Sequence, residues 1–300
     1  VLWGEDIANA GGSFKATRGL LDRFGPQRVR DTPISEYSMT GAAVGAALTG
    51  LKPVVEIMFM DFVTLGMDGI INQAAKSRFM FGGQASVPMV VRLPHGAGVN
   101  AGPQHSQCLE AWFAHTPGLK VVCPATVEDA YALTRAAIDD PDPVILVENK
   151  ALYGISGDIP DDLTPTRIGE AAIAHGGNDV TLVTYGAMRL QCMKVAQMLA
   201  GDGISVEVVD LRSLQPWDKA TVLASVAKTH RAVVVHEAVR DFGIGAEIAA
   251  VISEEGFDNL DAPVGRIGAP FMPVPFARSL EERYVPDPDA IANAIRNTLL

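Results

Sequence analysis

The segment Asp31-Thr32-Pro33-Ile34-Ser35-Glu36, with the small-residue run 41–47 behind it, decides how this chain folds. Pro33 fixes its own φ and disfavours helix at Thr32, so we predict that a strand ends here and turns into a loop. Glu36 then stands near the start of the next helix, whose small residues let another backbone or a flat ligand approach closely. A carboxylate there indicates a hydrogen-bond acceptor or proton shuttle; a Glu that only favours the helix dipole is the alternative.

The composition is that of a well-buried globular protein, since 48% of the 300 residues are hydrophobic and 20% are charged. The net charge of −11 argues against a nucleic-acid surface, which needs basic patches. No apolar stretch reaches the roughly 18 residues that cross a bilayer, and no signal-peptide pattern is recognised. We therefore expect a cytoplasmic protein with no membrane partner; the start at Val1 is compatible with preceding residues.

Three cysteines, Cys108, Cys123 and Cys192, are widely spaced in apolar contexts. This spacing indicates reduced core thiols and neither a disulfide framework nor a metal cluster. The abundance of Gly and Ala and the positive mean hydropathy predict large buried interfaces, and we expect an oligomer.

Short β-rich runs alternate with helical patterns through residues 1–150, which predicts an α/β domain with a mainly parallel sheet covered on both faces. The predicted strands and helices include 52–59, 63–79, 87–93, 106–114, 120–123, 127–138 and 143–147. Residues 151–167, rich in Gly and Pro, break this rhythm and indicate a linker. A second α/β domain is predicted over residues 168–300.

Two segments carry further candidate chemistry. Residues 57–62 leave a strand where α/β sheets bind ligands, so Met58 and Phe62 are candidates for an apolar and aromatic wall against a planar ring, with ordinary core packing as the alternative. His105 follows a Gly-rich loop at a predicted helix start, and there it is a candidate acid–base group or simply a structural polar residue. Ser106 lacks the Gly-x-Ser-x-Gly surroundings of a nucleophile.

The acidic turn at residues 137–143 suits a hard cation as well as it suits a solvated loop. Neither a Gly-x-x-x-x-Gly-Lys loop nor a Rossmann fingerprint is present, so we do not expect nucleotide binding of the usual kind.

Taken together, these segments resemble the β subunit of the thiamine diphosphate-dependent E1 component of 2-oxo acid dehydrogenase complexes, a group that includes pyruvate, branched-chain 2-oxo acid and acetoin dehydrogenases. The resemblance covers nearly the whole chain. Beyond the segments above, it runs through residues 4–6, 72–76, 104–107, 117–121, 210–218 and 243–248. It implies a pyrimidine-binding transketolase-like domain followed by a transketolase C-terminal-like domain.

The resemblance also implies roles for individual residues. Glu36 matches the Glu that hydrogen-bonds N1′ of the cofactor's aminopyrimidine, and Phe62 matches the aromatic residue that stacks on that ring. His105 matches a His near the substrate, implicated in acyl transfer to a lipoyl arm. The other expected pocket positions are Glu5, Ile34, Ser35 and Met58.

The resemblance further implies a partner. In this family a separate α subunit holds Mg²⁺ and the diphosphate, the assembly is commonly α₂β₂, and a lipoyl-bearing E2 accepts the acyl group. Some members bind potassium at the positions of Met89, Ala137, Ile138, Asp140 and Asp142, although Asp142 replaces an Asn of some relatives. The Gly201-Asp202-Gly203 triplet resembles the start of a thiamine diphosphate metal motif, but the required Asn is missing, so we predict a helix-ending turn.

Two alternatives stay open. The first is another enzyme of the same superfamily, such as a split transketolase or 1-deoxyxylulose-5-phosphate synthase, which needs basic residues for a substrate phosphate; Arg92 and His95 are the strongest candidates. The second is a non-catalytic subunit that stabilises a partner.

Overall fold

Two sheets surrounded by helices make up the computed structural model, which describes residues 1–163 and 166–300; Pro165 of the predicted linker lies outside the described residues. The strands are β1 Leu2–Gly4, β2 Val29–Asp31, β3 Val54–Glu56, β4 Val90–His95, β5 Lys120–Val122, β6 Val144–Asn149, β7 Ala172–His175, β8 Val180–Thr184, β9 Val206–Asp210, β10 Ser213–Gln215, β11 Ala232–Val239 and β12 Gly265–Ala269. The helices are α1 Leu20–Phe24, α2 Glu36–Leu48, α3 Ala75–Met80, α4 Glu110–Ala114, α5 Val127–Asp139, α6 Met188–Ala200, α7 Lys219–Thr229, α8 Ile244–Glu255, α9 Arg278–Tyr284 and α10 Pro288–Asn297.

The first sheet has the strand order β10-β5-β6-β4-β3-β1-β2 and is parallel except for β10, which pairs antiparallel with β5. The second has the order β12-β11-β8-β9-β7 and is parallel except for β7. The predicted α/β class with mainly parallel sheets is therefore confirmed. Strand β10 lies in the second half of the chain but joins the first sheet, so the chain crosses from one sheet to the other there.

The two sheets share a core. One buried apolar cluster contains Val55 and Ile145 of the first sheet together with Val183 and Val234 of the second. Strands such as β6 and β8 are buried over almost their whole length, as expected for parallel strands that helices cover on both faces. The two halves of the chain consequently stabilise each other.

The predicted helix 63–79 is present, but it is a regular α-helix only in its last part. The chain instead forms a 3₁₀ helix, Met60–Gly66, then a π-helical stretch, Asp68–Ala74, and only then α3. Thr40 of α2 packs against this segment: its Oγ1 lies within hydrogen-bond distance of the Gly66 carbonyl, at 3.1 Å, and of the Glu36 carbonyl in its own helix, at 3.0 Å. A Cβ on Gly69 would lie 2.5 Å from Thr40 Oγ1, so this close contact requires glycine.

The predicted helix 106–114 is shorter than expected and begins at Glu110, so His105 lies in a loop and not at a helix start. Two backbone N–H groups of this loop form hydrogen bonds with the segment that follows β3. The Gln107 N–H donates to Asp61 Oδ1 at 3.2 Å, and the Leu109 N–H donates to Met60 Sδ at 3.1 Å. In a helix that began at Ser106, the Leu109 N–H would donate within the helix, so its bond to Met60 favours the later start.

Other differences are smaller. The predicted strand that ends before Pro33 is confirmed as β2, whereas the short strand β1, the antiparallel strands β7 and β10 and the helix α9 had no clear signal in the sequence. The turn at Gly201-Asp202-Gly203 is confirmed, since α6 ends at Ala200 and Asp202 pairs with Arg296 at 2.7 Å. The three cysteines are free thiols. No helix in the described part of the chain is long and apolar enough to span a membrane.

Gly118 offers a test of the packing between α3 and the segment before β5. Its φ is +100°, and a Cβ there would lie 2.0 Å from the Ala75 carbonyl oxygen. Gly50 is a matched control, because its φ is +96° and nothing lies within 4 Å of the point that a Cβ would occupy. We expect Gly50→Ala to lower the free energy of unfolding by about 1 kcal/mol. Gly118→Ala should lower it by a further 1–3 kcal/mol or so, because the carbonyl cannot move freely.

Urea denaturation of the two full-length variants measures this difference. Equal losses of stability in both would contradict the close packing at Gly118.

Candidate functional site

The carboxyl ends of five parallel strands, β1, β2, β3, β4 and β6, lie at one edge of the first sheet. Such an edge is where α/β sheets bind ligands. The chain brings Glu5 to this edge after β1, Glu36 after β2, Phe62 after β3, His105 after β4 and Lys150 after β6. The sequence-predicted residues thus converge, together with one lysine that the sequence analysis did not select.

Glu5 and Glu36 form a pair of buried carboxylates, with exposed fractions of 8% and 4%. Burial raises the pKa of Glu5, and the negative charge of Glu36 raises it further, while the Ser35 N–H favours the ionised form. Glu5 Oε1 is buried without a hydrogen-bond partner among the described residues. The pair is therefore equipped to hold one proton and to accept a hydrogen bond from a ligand.

The backbone around this pair is fixed locally. The Thr32 N–H donates to the Gly4 carbonyl at 3.0 Å, and Asp31 Oδ1 accepts from the Ala8 N–H at 2.7 Å. Ser35 is the N-cap of α2 without a side-chain capping bond, and Ile34 is 82% exposed. Ile34 therefore projects from the rim of the site and is free to contact another molecule.

An aromatic cluster lines the neighbouring part of the edge. The ring of Phe59 lies 5.7 Å from Phe62 and 5.0 Å from His105, and Phe62 lies 5.4 Å from His105, all in edge-to-face arrangements. Met58 and Phe62 are half-buried, as is His105. The structure thus brings Phe62 and His105 together and leaves both partly open, so they form an apolar wall beside a titratable group.

Two side chains, Asp61 and Lys150, hold the loop that carries His105. Asp61 accepts from the Gln107 side chain at 2.8 Å as well as from its backbone, and the Lys150 ammonium donates to the His105 carbonyl. The position of Lys150 directly after a buried strand was the signal in the sequence that could have identified it.

A second polar cluster lies between the two sheets. The Tyr185 hydroxyl donates to Glu110 Oε1 at 2.8 Å, and His95 Nδ1 lies 3.6 Å from Glu110 Oε2. Burial raises the pKa of Glu110 to about 7, and burial lowers the pKa of His95 to about 3. Glu237, whose pKa is also raised by burial, accepts from the Ala97 N–H at 2.6 Å. Sequence reasoning missed this cluster, because its members come from distant segments.

The acidic turn after α5 is already paired with cations of the chain. Lys120 Nζ lies 2.7 Å and 2.6 Å from the two carboxylate oxygens of Asp140, and Arg78 pairs with Asp142. Ala137 and Met89 are buried beside this turn, and Ile138 is half-buried. The five positions expected for potassium thus include two carboxylates whose charge Lys120 and Arg78 neutralise.

Glu110 gives a pH-dependence that is open to measurement. An ordinary Glu pKa near 4.3 applies to the unfolded chain, so the folded protein binds the extra proton between that value and about 7. Protonated Glu110 therefore contributes free energy of unfolding that is present at low pH and is lost as the pH rises to about 7. Glu110→Gln removes this loss while it keeps the acceptor for Tyr185. We expect the stability of the variant relative to the parent to rise by up to about 3 kcal/mol between pH 5 and pH 8.

Urea denaturation at both pH values measures this change. Glu128→Gln is the control, since Glu128 is exposed in the first turn of α5. If Glu110→Gln and the parent differ in free energy of unfolding by the same amount at both pH values, that result would contradict a protonated Glu110.

Comparisons with known proteins agree with this architecture. The transketolase pyrimidine-binding domain family matches residues 1–156, and the transketolase C-terminal domain family matches residues 169–291. A solved structure of a split-gene transketolase, an inactive β4 tetramer, has a TM-score of 0.80 and 23% identity, and the match covers 100% of this chain and 91% of that chain. This last likeness supports the fold.

Sequence relatives are considerably more similar. The β-2 subunit of the pyruvate dehydrogenase E1 component from Oryza sativa subsp. japonica, named as mitochondrial, is 49% identical over 98% of this chain and 80% of its own length. The β subunit of acetoin:2,6-dichlorophenolindophenol oxidoreductase from Bacillus subtilis (strain 168) is 45% identical over 98% of this chain and 89% of its own length. With both domains in the same order and this level of identity, the chain belongs to the transketolase-type family of E1 β subunits, which includes the pyruvate dehydrogenase and acetoin-oxidising β subunits.

Proposed function

We propose that this chain is the β subunit of a heteromeric E1 enzyme that uses thiamine diphosphate to decarboxylate a pyruvate-like 2-oxo acid or to cleave acetoin. The acyl group then passes to a lipoyl domain of an E2 partner. One observation carries the proposal: the buried carboxylate Glu36 and the half-buried pair Phe62 and His105 lie at the same edge of the pyrimidine-binding sheet.

The residues present fit the aminopyrimidine half of the cofactor. Glu5 Oε1 is a buried acceptor with no partner in the described residues, and Glu36 is a buried carboxylate beside it. Met58 and Phe62 offer a half-buried apolar surface of the kind that packs on a flat ring. When bound, the cofactor supplies the nucleophilic carbon that attacks the substrate carbonyl.

The chain's own groups then have separate tasks. Glu36 would hydrogen-bond the ring nitrogen of the bound cofactor and exchange with it the proton that cofactor activation requires. Phe62 would stack on the pyrimidine, Ser35 and Met58 would line its pocket, and the exposed Ile34 would lie at the rim of that pocket. His105, against the Phe62 ring, would donate or accept a proton during transfer of the acyl group to the lipoyl arm.

We propose that an α subunit completes the site by holding Mg²⁺ and the diphosphate, in an α₂β₂ assembly. The Gly201-Asp202-Gly203 triplet is a turn after α6 and pairs with Arg296, so it does not supply this function. We also propose that residues 151–167 link the two domains, with residues 1–150 and 168–300 as their bounds. A cytoplasmic location stays a proposal.

Potassium at the turn after α5 likewise stays a prediction. The side chains of Asp140 and Asp142 do not fit as its ligands, because Lys120 and Arg78 already occupy them. A cation bound here would depend on backbone carbonyls such as those of Ala137 and Ile138.

The sugar-phosphate alternative loses support from the two basic residues that suggested it. Arg92 is half-buried, with its side chain 11% exposed, and is paired with both Glu56 and Glu148. His95 is buried and neutral at ordinary pH because burial lowers its pKa to about 3. Neither is available to a substrate phosphate. A non-catalytic role would be supported if the complex bound no thiamine diphosphate.

Copurification from the native host tests the assembly. We expect a tagged copy of this chain to bring down an α subunit with a Gly-Asp-Gly…Asn motif and thiamine-dependent activity on pyruvate or acetoin. A lone homodimer that binds no thiamine diphosphate would contradict the proposal.

Glu36→Gln tests the role of the carboxylate. Because positioned acid–base groups contribute about 10²–10⁴-fold, we expect turnover of the α-containing complex to fall at least about 10²-fold. Glu128→Gln, also a Glu in the first turn of a helix, should stay within about twofold of the parent. Assembly, measured by size-exclusion chromatography, should be unchanged in both. Near-normal turnover of Glu36→Gln would overturn this role.

A further inference from the structure

We propose that Lys150 is the residue that positions His105 for acyl transfer, an inference that rests on the proposed function. Lys150 is a positioning residue here, since its contacts are with the loop of His105 and not with a reacting atom. Three observations support this role: the contact of Lys150 with the His105 carbonyl, its contact with the Phe59 ring, and the burial of its side chain.

The first contact is with the backbone. Lys150 Nζ donates to the carbonyl oxygen of His105, so it fixes the peptide that carries the imidazole. Lys150 itself is rigid, because it directly follows β6 and begins a single 3₁₀ turn, Lys150–Leu152. The Asn149 Oδ1 accepts from the Ala151 N–H at 2.9 Å and holds that turn. The position of His105 is therefore fixed relative to β6, a central strand of the first sheet.

The second contact is with the aromatic wall. The Lys150 ammonium lies 5.2 Å from the centroid of the Phe59 ring, and the same ring contacts the His105 imidazole edge-to-face at 5.0 Å. A cation near an aromatic face is attracted by the ring's electrons. Lys150 therefore holds His105 both through its backbone and through the ring against which the imidazole rests.

Burial shows that this lysine is not a surface residue that happens to reach the loop. It is only 4% exposed, and burial lowers the pKa of its ammonium while the charges of Asp61, Glu237 and Glu281 act in the opposite direction. Burying a cation without a direct carboxylate partner is unfavourable. Asp61 also holds Gln107, so the lysine and this acid fix the loop on both sides of Ser106.

Lys150→Met removes the ammonium and keeps the length of the side chain. A displacement of about 1 Å can cost as much as about 10²-fold in rate, so we expect transfer of the acyl group to free lipoamide to fall about 10-fold or more. Reduction of 2,6-dichlorophenolindophenol by the same complex, which does not need the lipoyl step, should stay within about threefold of the parent. Lys150→Arg should recover part of the lipoamide rate, since it keeps a cation and donors.

Lys76→Met is the matched control. Lys76 Nζ also donates to a backbone carbonyl, that of Pro117, at 2.6 Å, but Pro117 precedes β5 and so lies at the opposite edge of the sheet. Its lipoamide and dye rates should both match the parent. Equal losses of both activities in Lys150→Met would show general damage to the site and overturn the inference.

A double-mutant cycle separates this inference from the proposed function. We expect Lys150→Met combined with His105→Ala to transfer the acyl group no more slowly than His105→Ala alone. Additive losses would show that Lys150 does not act through His105. A normal lipoamide rate in His105→Ala would instead overturn the proposed role of His105.

A readout without catalysis tests the positioning directly. We expect diethylpyrocarbonate to modify His105 several-fold faster in Lys150→Met than in the parent complex, measured by peptide mass spectrometry, because the ring is less firmly held. The exposed His230 is the internal control and should react at an unchanged rate. An unchanged His105 rate would overturn the inference whatever the lipoamide result.

Discussion

Glu237, a carboxylate of the second sheet, accepts hydrogen bonds from the Ala97 N–H and from the Asn149 side chain, which stand at the ends of two strands of the first sheet. Both carboxyl oxygens thus have hydrogen-bond partners in a buried junction, where an unpaired polar group would be costly. The strand ends that present the candidate site are held by this junction. The second domain therefore acts as a support for a site whose predicted residues all belong to the first.

Buried acids recur throughout the molecule, and they serve different purposes. Glu56 is paired with Arg92, whereas Glu5 and Glu110 have no cation beside them in the described part of the chain, and burial raises the pKa of all three. A buried acid without a cation is more easily protonated, which allows it to donate a hydrogen bond as well as to accept one. The chain thus has carboxyl groups with raised pKa values both at the candidate site and at the domain junction.

Much of this architecture was predictable from the sequence. The alternation of apolar runs and helical patterns indicated the two α/β domains, and elements of the first, such as β5 and α5, lie within one residue of the predicted 120–123 and 127–138. The rule that parallel strands present their carboxyl ends at one edge predicted that Met58 and Phe62 lie at a ligand-binding edge. The placement of Glu36 and His105 in the same pocket, and the roles of Glu36, Phe62 and His105, came from a family resemblance and not from spacing.

What the sequence could not show depends on contacts between distant segments. The 3₁₀ and π turns before α3 pack against Thr40, and the late start of α4 is favoured by the bond of the Leu109 N–H to Met60. Short strands such as β1 and β10 hold only three residues each, too few for a periodic signal. The burial of Lys150 was hidden because lysine is ordinarily a surface residue.

The crossing of β10 into the first sheet has a consequence for how the gene could be divided. In the native chain β10 covers the outer edge of β5, so the hydrogen-bonding groups on that side are paired. A fragment cut within residues 151–167 would leave β5 as a bare edge, ready to pair with another chain and aggregate. The second fragment would keep a strand with no sheet to join. The two domains are therefore distinct in architecture, yet they are expected to be inherited, expressed and degraded as one unit.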